Sequence, residues 1–360
     1  MAPNPEAPLR LNEIEWGPPL LPDALTPELE ALCKRLFGGV VPNVFRKIAP
    51  VPWLVEMWMA LMRRRHTCAP RELIDLLCFI SAQENSCRYC YGGQRASLRL
   101  MGYPEKRVQQ LENRVELEQL SALERAVVQY AATLVRMTRR PTRADREVLE
   151  RAGLTSLQVA ELTYLVALSC ASTRMSTLAA TPPDADYEAL PDKLIIRLLR
   201  PLIATQMRPE RRDAAPVAEG PFARVLAPLE QTWGAQLLRK TLDGLLGEGP
   251  LPRRSKLLIL LTTAHALECP VTRAECVRLL AEEGITAAQA DEVTTHLSSP
   301  VLDPLEARLV PLARDSIRYK PVTIQARVRD LTAGMEPRVI LDVLGATAVG
   351  NALGRLGTLS

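Results

Sequence analysis

The chain has 360 residues, 47% of them hydrophobic and 4% aromatic, with 45 basic and 41 acidic residues for a net charge of +4. That length accommodates two ordinary domains and a large core. The small charge excess speaks against a nucleic-acid partner. The arginines at 63–65 and at 139, 140, 143 and 146 have acids nearby and no aromatic interleaving, so they read as solvated helix faces.

Residues 1–25 carry prolines at 3, 5, 8, 18, 19 and 22 and read as an extended arm. The early acids Glu6, Glu13 and Glu15 and the lack of a basic-then-apolar leader argue against a signal peptide, and a cytoplasmic location is expected. A helix is predicted from about Thr26 to Leu36 and another after Pro42. A third starts near Pro70, with Leu73, Leu76, Leu77 and Ile80 on one face. Asn85 and Ser86 are the expected N-caps of the next, from about Cys87 to Leu100, which stops before Gly102. Further helices are predicted over 121–138, 143–152 and 156–180. Leu, Ala, Arg and Glu dominate, and few segments alternate as strands do, so the expected class is all-α.

Prolines 182, 183 and 191 mark a linker over 181–193, and the Pro-, Arg- and Ala-rich stretch 209–221 reads as a loop within the second half. The longest nearly uncharged apolar stretch, 257–267, is too short to span a bilayer and reads as a buried helix, so no membrane partner is expected.

An internal repeat organises the chain. Pro70-Arg71 recurs as Pro252-Arg253, Cys87 as Cys269, Gly102 as Gly284 and Leu123-Glu124 as Leu305-Glu306, all at an offset of 182. Ala152-Gly153 recurs as Ala333-Gly334 at 181, and Phe45 as Phe222 at 177. One offset held over more than 50 residues argues for duplication. The expected organisation is the arm 1–25, a first repeat 26–190 and a second repeat 191–360, two helical bundles forming an intrachain pseudo-dimer.

Eight cysteines without a secretion signal do not read as a disulfide scaffold. Cys33, Cys78 and Cys170 sit in apolar helical surroundings and read as small buried hydrophobes. The pair in Cys87-Arg88-Tyr89-Cys90 differs. In the first turn of a helix, free N–H groups and the helix dipole favour thiolate. A spacing of three sets both sulfurs on one face at disulfide separation. Three other readings compete. A half zinc site lacks a second ligand pair, since only three histidines and no second Cys-x-x-Cys exist. Inert burial is opposed by the polar flanks Glu84, Asn85, Ser86 and Arg88. A thioredoxin-type motif wants a preceding strand, whereas a helix precedes this one. Gly92 and Gly93 each cost a helix about 1 kcal/mol relative to Ala. Close packing of a neighbour or open access to the sulfurs would offset that.

The segment Glu84-Asn85-Ser86-Cys87-Arg88-Tyr89-Cys90-Tyr91-Gly92-Gly93-Gln94, with Gly102 downstream, resembles the carboxymuconolactone decarboxylase / alkyl hydroperoxidase D-like family. Val41-Pro42-Asn43-Val44-Phe45-Arg46 is similar to the helix that opens its domains. The resemblance covers most of the first half, and the second half follows by duplication. It implies an all-α domain and a homo-oligomer, here a trimer of pseudo-dimers or a dimer. It also implies thiol-dependent reduction of a small peroxide or disulfide with electrons from a dithiol donor, and no cofactor or metal. In redox members the second cysteine (here Cys90) attacks, the first (here Cys87) resolves, and a glutamate and a histidine relay the proton. The chain departs at both relay positions, with Asp75 in place of the glutamate and Gln94 in place of the histidine. Glu84 is the nearest carboxylate able to substitute. His66, beside the arginine run, reads as surface, and Tyr89 reads as packing. In the second half Thr272 replaces the second cysteine, Leu257 stands opposite Asp75, and Cys276 is a free thiol, so that half reads as structural. The expected activity is a peroxidase-like oxidoreductase. Two alternatives stand beside it: a binding scaffold whose site has decayed, and a cofactor-free lyase or hydrolase of a lactone-like acid.

Overall fold

A computed structural model of the chain describes residues 8–113 and 120–360. Residues 1–7 of the predicted arm, with Pro3, Pro5 and Glu6, lie outside the described residues. Among the described residues the chain is helical, and its one strand-like feature is an isolated bridge between His66 and Arg211.

Among the described residues nine helices build the first repeat: α1 (Pro27–Leu36), α2 (Asn43–Ile48), α3 (Pro52–Met62), α4 (Arg71–Glu84), α5 (Arg88–Leu100), α6 (Glu105–Asn113), α7 (Ala122–Arg136), α8 (Arg143–Arg151) and α9 (Ser156–Leu178). Three short helices follow: α10 (Ala185–Ala189), α11 (Leu194–Leu198) and α12 (Arg200–Gln206). The second repeat comprises α13 (Ala223–Leu226), α14 (Trp233–Leu246), α15 (Arg253–Ala266), α16 (Pro270–Glu282), α17 (Ala287–His296), α18 (Glu306–Asp315), α19 (Pro321–Thr332) and α20 (Pro337–Leu356). The repeats correspond at their centres: α15 begins and ends 182 residues after α4, and α16 does the same after α5. The molecule is all-α and built of two tandem repeats, as the offset indicated.

The core lies along α9 and α20. Residues 159–178 of the one and 340–356 of the other are all buried, and the two helices pack on each other. A helix apolar all round belongs at the centre of a core. It is α20, rather than 257–267, that has the length and composition to cross a membrane, and 94% of its most apolar window is buried inside the protein. Its apolar character is therefore used in packing.

Arg174 and Arg355, 181 residues apart, are both buried. From α9, Arg174 donates to the carbonyls of Ser316 (3.2 Å) and Ile317 (3.1 Å), just past α18 of the other repeat. From α20, Arg355 donates to the carbonyls of Leu134 (3.1 Å) and Val135 (2.8 Å) at the end of α7. Each repeat thus satisfies the orphan C-terminal carbonyls of the other's helix with a positive charge, which the helix dipole favours there. Burial, with Arg174 adding a like charge, lowers Arg355 to about 9, so it remains protonated at neutral pH.

Not all the arginines expected on solvated faces lie there. Arg64 is buried. Arg140 donates to the carbonyls of Glu268 and Gly357, and Arg146 to that of Thr358. Unpaired carbonyls of the second repeat draw them into the seam. His66, expected at the surface, is buried too. Its backbone N–H donates to the Glu210 carbonyl (3.1 Å), and its Nδ1 lies 3.1 Å from the Arg64 carbonyl. The described part of the arm is extended apart from one 3-10 turn (Leu11–Glu13) and bridges both repeats. Leu20 N–H donates to the Ala179 carbonyl (3.0 Å), and Gly17 N–H donates to Gln325 Oε1 (2.7 Å).

Substituting Arg355→Met deprives two buried carbonyls of their donors. Urea unfolding should show a loss of about 2–5 kcal/mol. A loss under about 1 kcal/mol would mean that apolar packing alone holds the repeats together.

Candidate functional site

The site is built on the turn between α4 and α5. Asn85 closes α4: its Nδ2 donates to the Ser81 carbonyl (2.9 Å) and its Oδ1 accepts from Arg174 (2.7 Å). Ser86 turns the corner at φ +49°. With Asn85 occupied and Ser86 at the corner, neither caps α5 as expected. Cys87 is the N-cap, and its sulfur accepts the Cys90 N–H at 3.2 Å. Cys90 is the third residue of α5, with a Cα–Cα distance of 5.3 Å to Cys87, within the span of a disulfide.

The polar flanks do not keep the motif exposed. Cys87 is 1% exposed, Asn85 is buried, and the Glu84 carboxylate is buried against Arg136 at 2.5 Å. Burial is possible because the charged flanks find partners: besides Glu84 with Arg136, Arg88 makes a two-pronged pair with Glu188 (2.7 and 2.9 Å). Trp16 of the arm lies on the Arg88 guanidinium, and Ile14, Glu15 and Trp16 line a small crevice over Cys87.

Cys90 faces the other way, into a mostly apolar cavity of about 400 Å³. Cys90, Gln94 and Ser97 line it on successive turns of α5. Cys78 and Ala82 of α4 and Ser169 and Thr173 of α9 form a second wall, Trp58 and Leu61 of α3 a third, and Ile196, Leu199 and Ile203 of α11 and α12 the fourth. Burial pushes the Cys78 thiol up to about 11, so it stays protonated.

The five residues singled out from the sequence separate into four places. Cys90 and Gln94 share the cavity, and Cys87 lies beneath the arm. Asp75 is buried in an ion pair with Arg64 (2.9 Å), whose side chain lines the cavity. Burial raises Asp75 above the ordinary carboxylate range, although Arg64 opposes this. Glu84 borders a different cleft, shared with Arg136 and Arg318. It does not line the Cys90 cavity, because it ends α4 on the far side of the turn from α5.

Sequence reading missed Asp184, which does line the cavity. It lies in the predicted linker and accepts the Asn43 N–H at 2.9 Å, while Asn43 Nδ2 donates to the carbonyls of Pro182 and Pro183. Burial raises its carboxyl to about 6, with Glu188 adding to the rise and the Asn43 and Tyr89 hydrogen bonds and Arg46 opposing it. Tyr187, three residues on, shares a hydrogen bond with Ser97 (2.8 Å) at the cavity wall. The one available signal was Asn43, a polar residue at a helix start opposite a Pro-Pro-Asp turn. Tyr89 packs edge-on against Trp58 and lies beside Asp184.

No family model matches the chain, and no curated protein matches it. Solved structures do. One is the alkylhydroperoxidase AhpD core, an uncharacterized peroxidase-related protein from Ralstonia eutropha: 19% identity, covering 49% of this chain and 98% of that one, TM-score 0.42. Another is an uncharacterized peroxidase-related protein from a Silicibacter species: 22% identity, covering 52% and 97%, TM-score 0.40.

The second repeat has no equivalent arrangement at the matching positions. Cys269 Sγ donates to Thr272 Oγ1 (3.1 Å), which donates to the Leu353 carbonyl (3.2 Å), and both residues are buried. Cys276, opposite Gln94, is buried, and desolvation pushes its thiol well up. Among the described residues no three His, Cys, Asp or Glu side chains gather as metal ligands would.

The two glycines after Cys90 have different reasons. A Cβ on Gly92 would collide with the Arg88–Glu188 pair, whereas one on Gly93 would meet open space. Gly93→Ala should therefore raise stability by about 0.5–1 kcal/mol, and Gly92→Ala should lower it, both read from urea midpoints. Asp184 generates a pH prediction. Its folded-state pKa exceeds the unfolded value, so its contribution is most favourable below about pH 4 and is lost as pH rises through about 6. Asp184→Asn cannot ionise, so its stability relative to wild type should improve by about 2 kcal/mol from pH 4 to pH 7. A flat difference across that range would refute the assignment.

Proposed function

We propose that the protein is a thiol-dependent, peroxidase-like oxidoreductase that uses Cys90 and Cys87 to reduce a hydroperoxide or a disulfide. One observation carries the reading: Cys90 opens into a mostly apolar cavity, while its covered neighbour Cys87 stands at bonding separation behind it. The start of α5 favours thiolate at Cys90. That thiolate attacks the terminal oxygen of a hydroperoxide and the O–O bond breaks. Cys90 becomes a sulfenic acid, and the alkoxide takes a proton and leaves as an alcohol. Cys87 then attacks the Cys90 sulfur, releasing water and forming the disulfide. An external dithiol returns the pair to its reduced form and is itself oxidised. With a disulfide substrate the same pair acts by exchange.

Gln94 cannot hold the proton that Cys90 gives up, and Glu84 does not reach the cavity. Asp184 is the cavity carboxylate suited to it, because a group titrating near 6 both accepts and returns a proton close to neutrality. The apolar walls suit an organic hydroperoxide better than hydrogen peroxide. A cytoplasmic location fits the six remaining cysteines, none of which is bridged.

Hydroperoxide consumption with a dithiol donor tests the reading. Cys90→Ser should abolish it, and without the donor Cys87→Ser should consume about one equivalent per chain and stop at the Cys90 sulfenic acid. Full activity in Cys90→Ser would overturn the proposal. Turnover of a lactone-like acid by the double variant would replace it with the lyase reading.

A further inference from the structure

The fourth cavity wall is unusual on its outer side. Leu194, Ile195 and Leu198 of α11, Leu199 after it and Leu202 of α12 are exposed, Leu194 and Leu198 at 72% and 70%, and Leu199 and Leu202 also line the cavity. Most of the large hydrophobic side chains left in solvent among the described residues fall on this one segment, and Ile196 and Ile203 of the same segment line the Cys90 cavity. Between 193 and 208 there is no acidic residue, whereas Lys193, Arg197, Arg200 and Arg208 supply four cations. None of the four forms an ion pair within 4.0 Å with a described residue. The preceding acid, Asp192, is already held by Arg99.

An apolar face rimmed by cations, on helices far too short to cross a bilayer, is the composition of a segment that lies in a lipid interface. A second copy meeting this face across a twofold axis is a poorer fit, since it would set four cations against four. We propose that residues 193–208 dock the protein on an anionic lipid surface. Leu194, Leu198 and Leu202 enter the acyl boundary while Lys193, Arg197 and Arg200 meet the anionic headgroups. The sequence expectation of no membrane partner weighed only spanning segments, and surface docking needs none. One consequence rests on the reading of Cys90 as a redox thiol: with its wall on the bilayer, the cavity receives apolar molecules from the acyl phase without their crossing water.

The test uses the full chain with both Cys87 and Cys90 replaced by Ser, so its outcome is independent of thiol chemistry. Co-sedimentation with phosphatidylcholine vesicles, with and without phosphatidylglycerol, should show binding only when phosphatidylglycerol is present, weakening as salt rises. Replacing Arg197 and Arg200 by Gln should weaken binding about 25-fold, at about fivefold for each basic residue near such a surface. Leu194→Ser with Leu198→Ser should abolish binding while leaving the unfolding midpoint unchanged, because both side chains are already exposed. Equal binding of the leucine variant, or no binding to either vesicle, overturns the proposal. So does a fall in molecular mass by light scattering in the leucine variant, which would assign the face to a second copy of the chain. Hydroperoxide reduction by the wild type is measured separately, so failure of the redox reading and failure of docking are distinguishable.

Discussion

Arg174 and Arg355 bond backbone carbonyls rather than carboxylates, each reaching across to the helix end of the opposite repeat. A buried guanidinium without a counter-ion is costly unless its donors are filled and a negative potential faces it. The C-terminal ends of α7 and α18 supply both. Neither half keeps this arrangement alone, since separation would bare two charged side chains and two helix ends. The reciprocal contact makes the two repeats one body.

The cysteine pair depends on that contact. Arg174 holds the Asn85 side chain, and the hydroxyl of Tyr319, from the second repeat, donates to the Asn85 carbonyl (3.4 Å). Asn85 ends α4, so the second repeat, through Tyr319, holds the turn from which α5 starts. Had Asn85 or Ser86 capped α5, the register of the two sulfurs on the helix would have differed. The second repeat acts as a built-in partner that positions a centre it does not itself possess.

The asymmetry between the repeats has a physical counterpart. At the positions matching Asp75 and Gln94 the second repeat has Leu257 and Cys276, both buried, and Cys269 with Thr272 closes into a hydrogen-bonded chain ending on a backbone carbonyl. The first repeat keeps a cavity because residues 185–206 fold back over α5 as α10, α11 and α12. The stretch 181–193, which reads as a linker from its prolines, supplies Asp184 and Tyr187, and the residues just beyond it supply the outer wall.

The sequence by itself determined what depends on local periodicity: the helices, the 182-residue offset, and the cysteine pair at a helix start. Each is set by residues within a turn or two of one another, or by direct comparison of one stretch with another. It did not determine what depends on partners distant in the chain. Whether Arg140 and Arg146 face water, whether His66 is buried and which residue caps α5 all turn on groups tens to hundreds of residues away. Glu84 looked like a relay because it is close in sequence to Cys87, yet its side chain points to Arg136 and another cleft. Asp184, almost a hundred residues from Cys90, shares its cavity. Tertiary structure alone decided which carboxylate shares a cavity with Cys90, because the fold brings side by side residues that the chain keeps far apart.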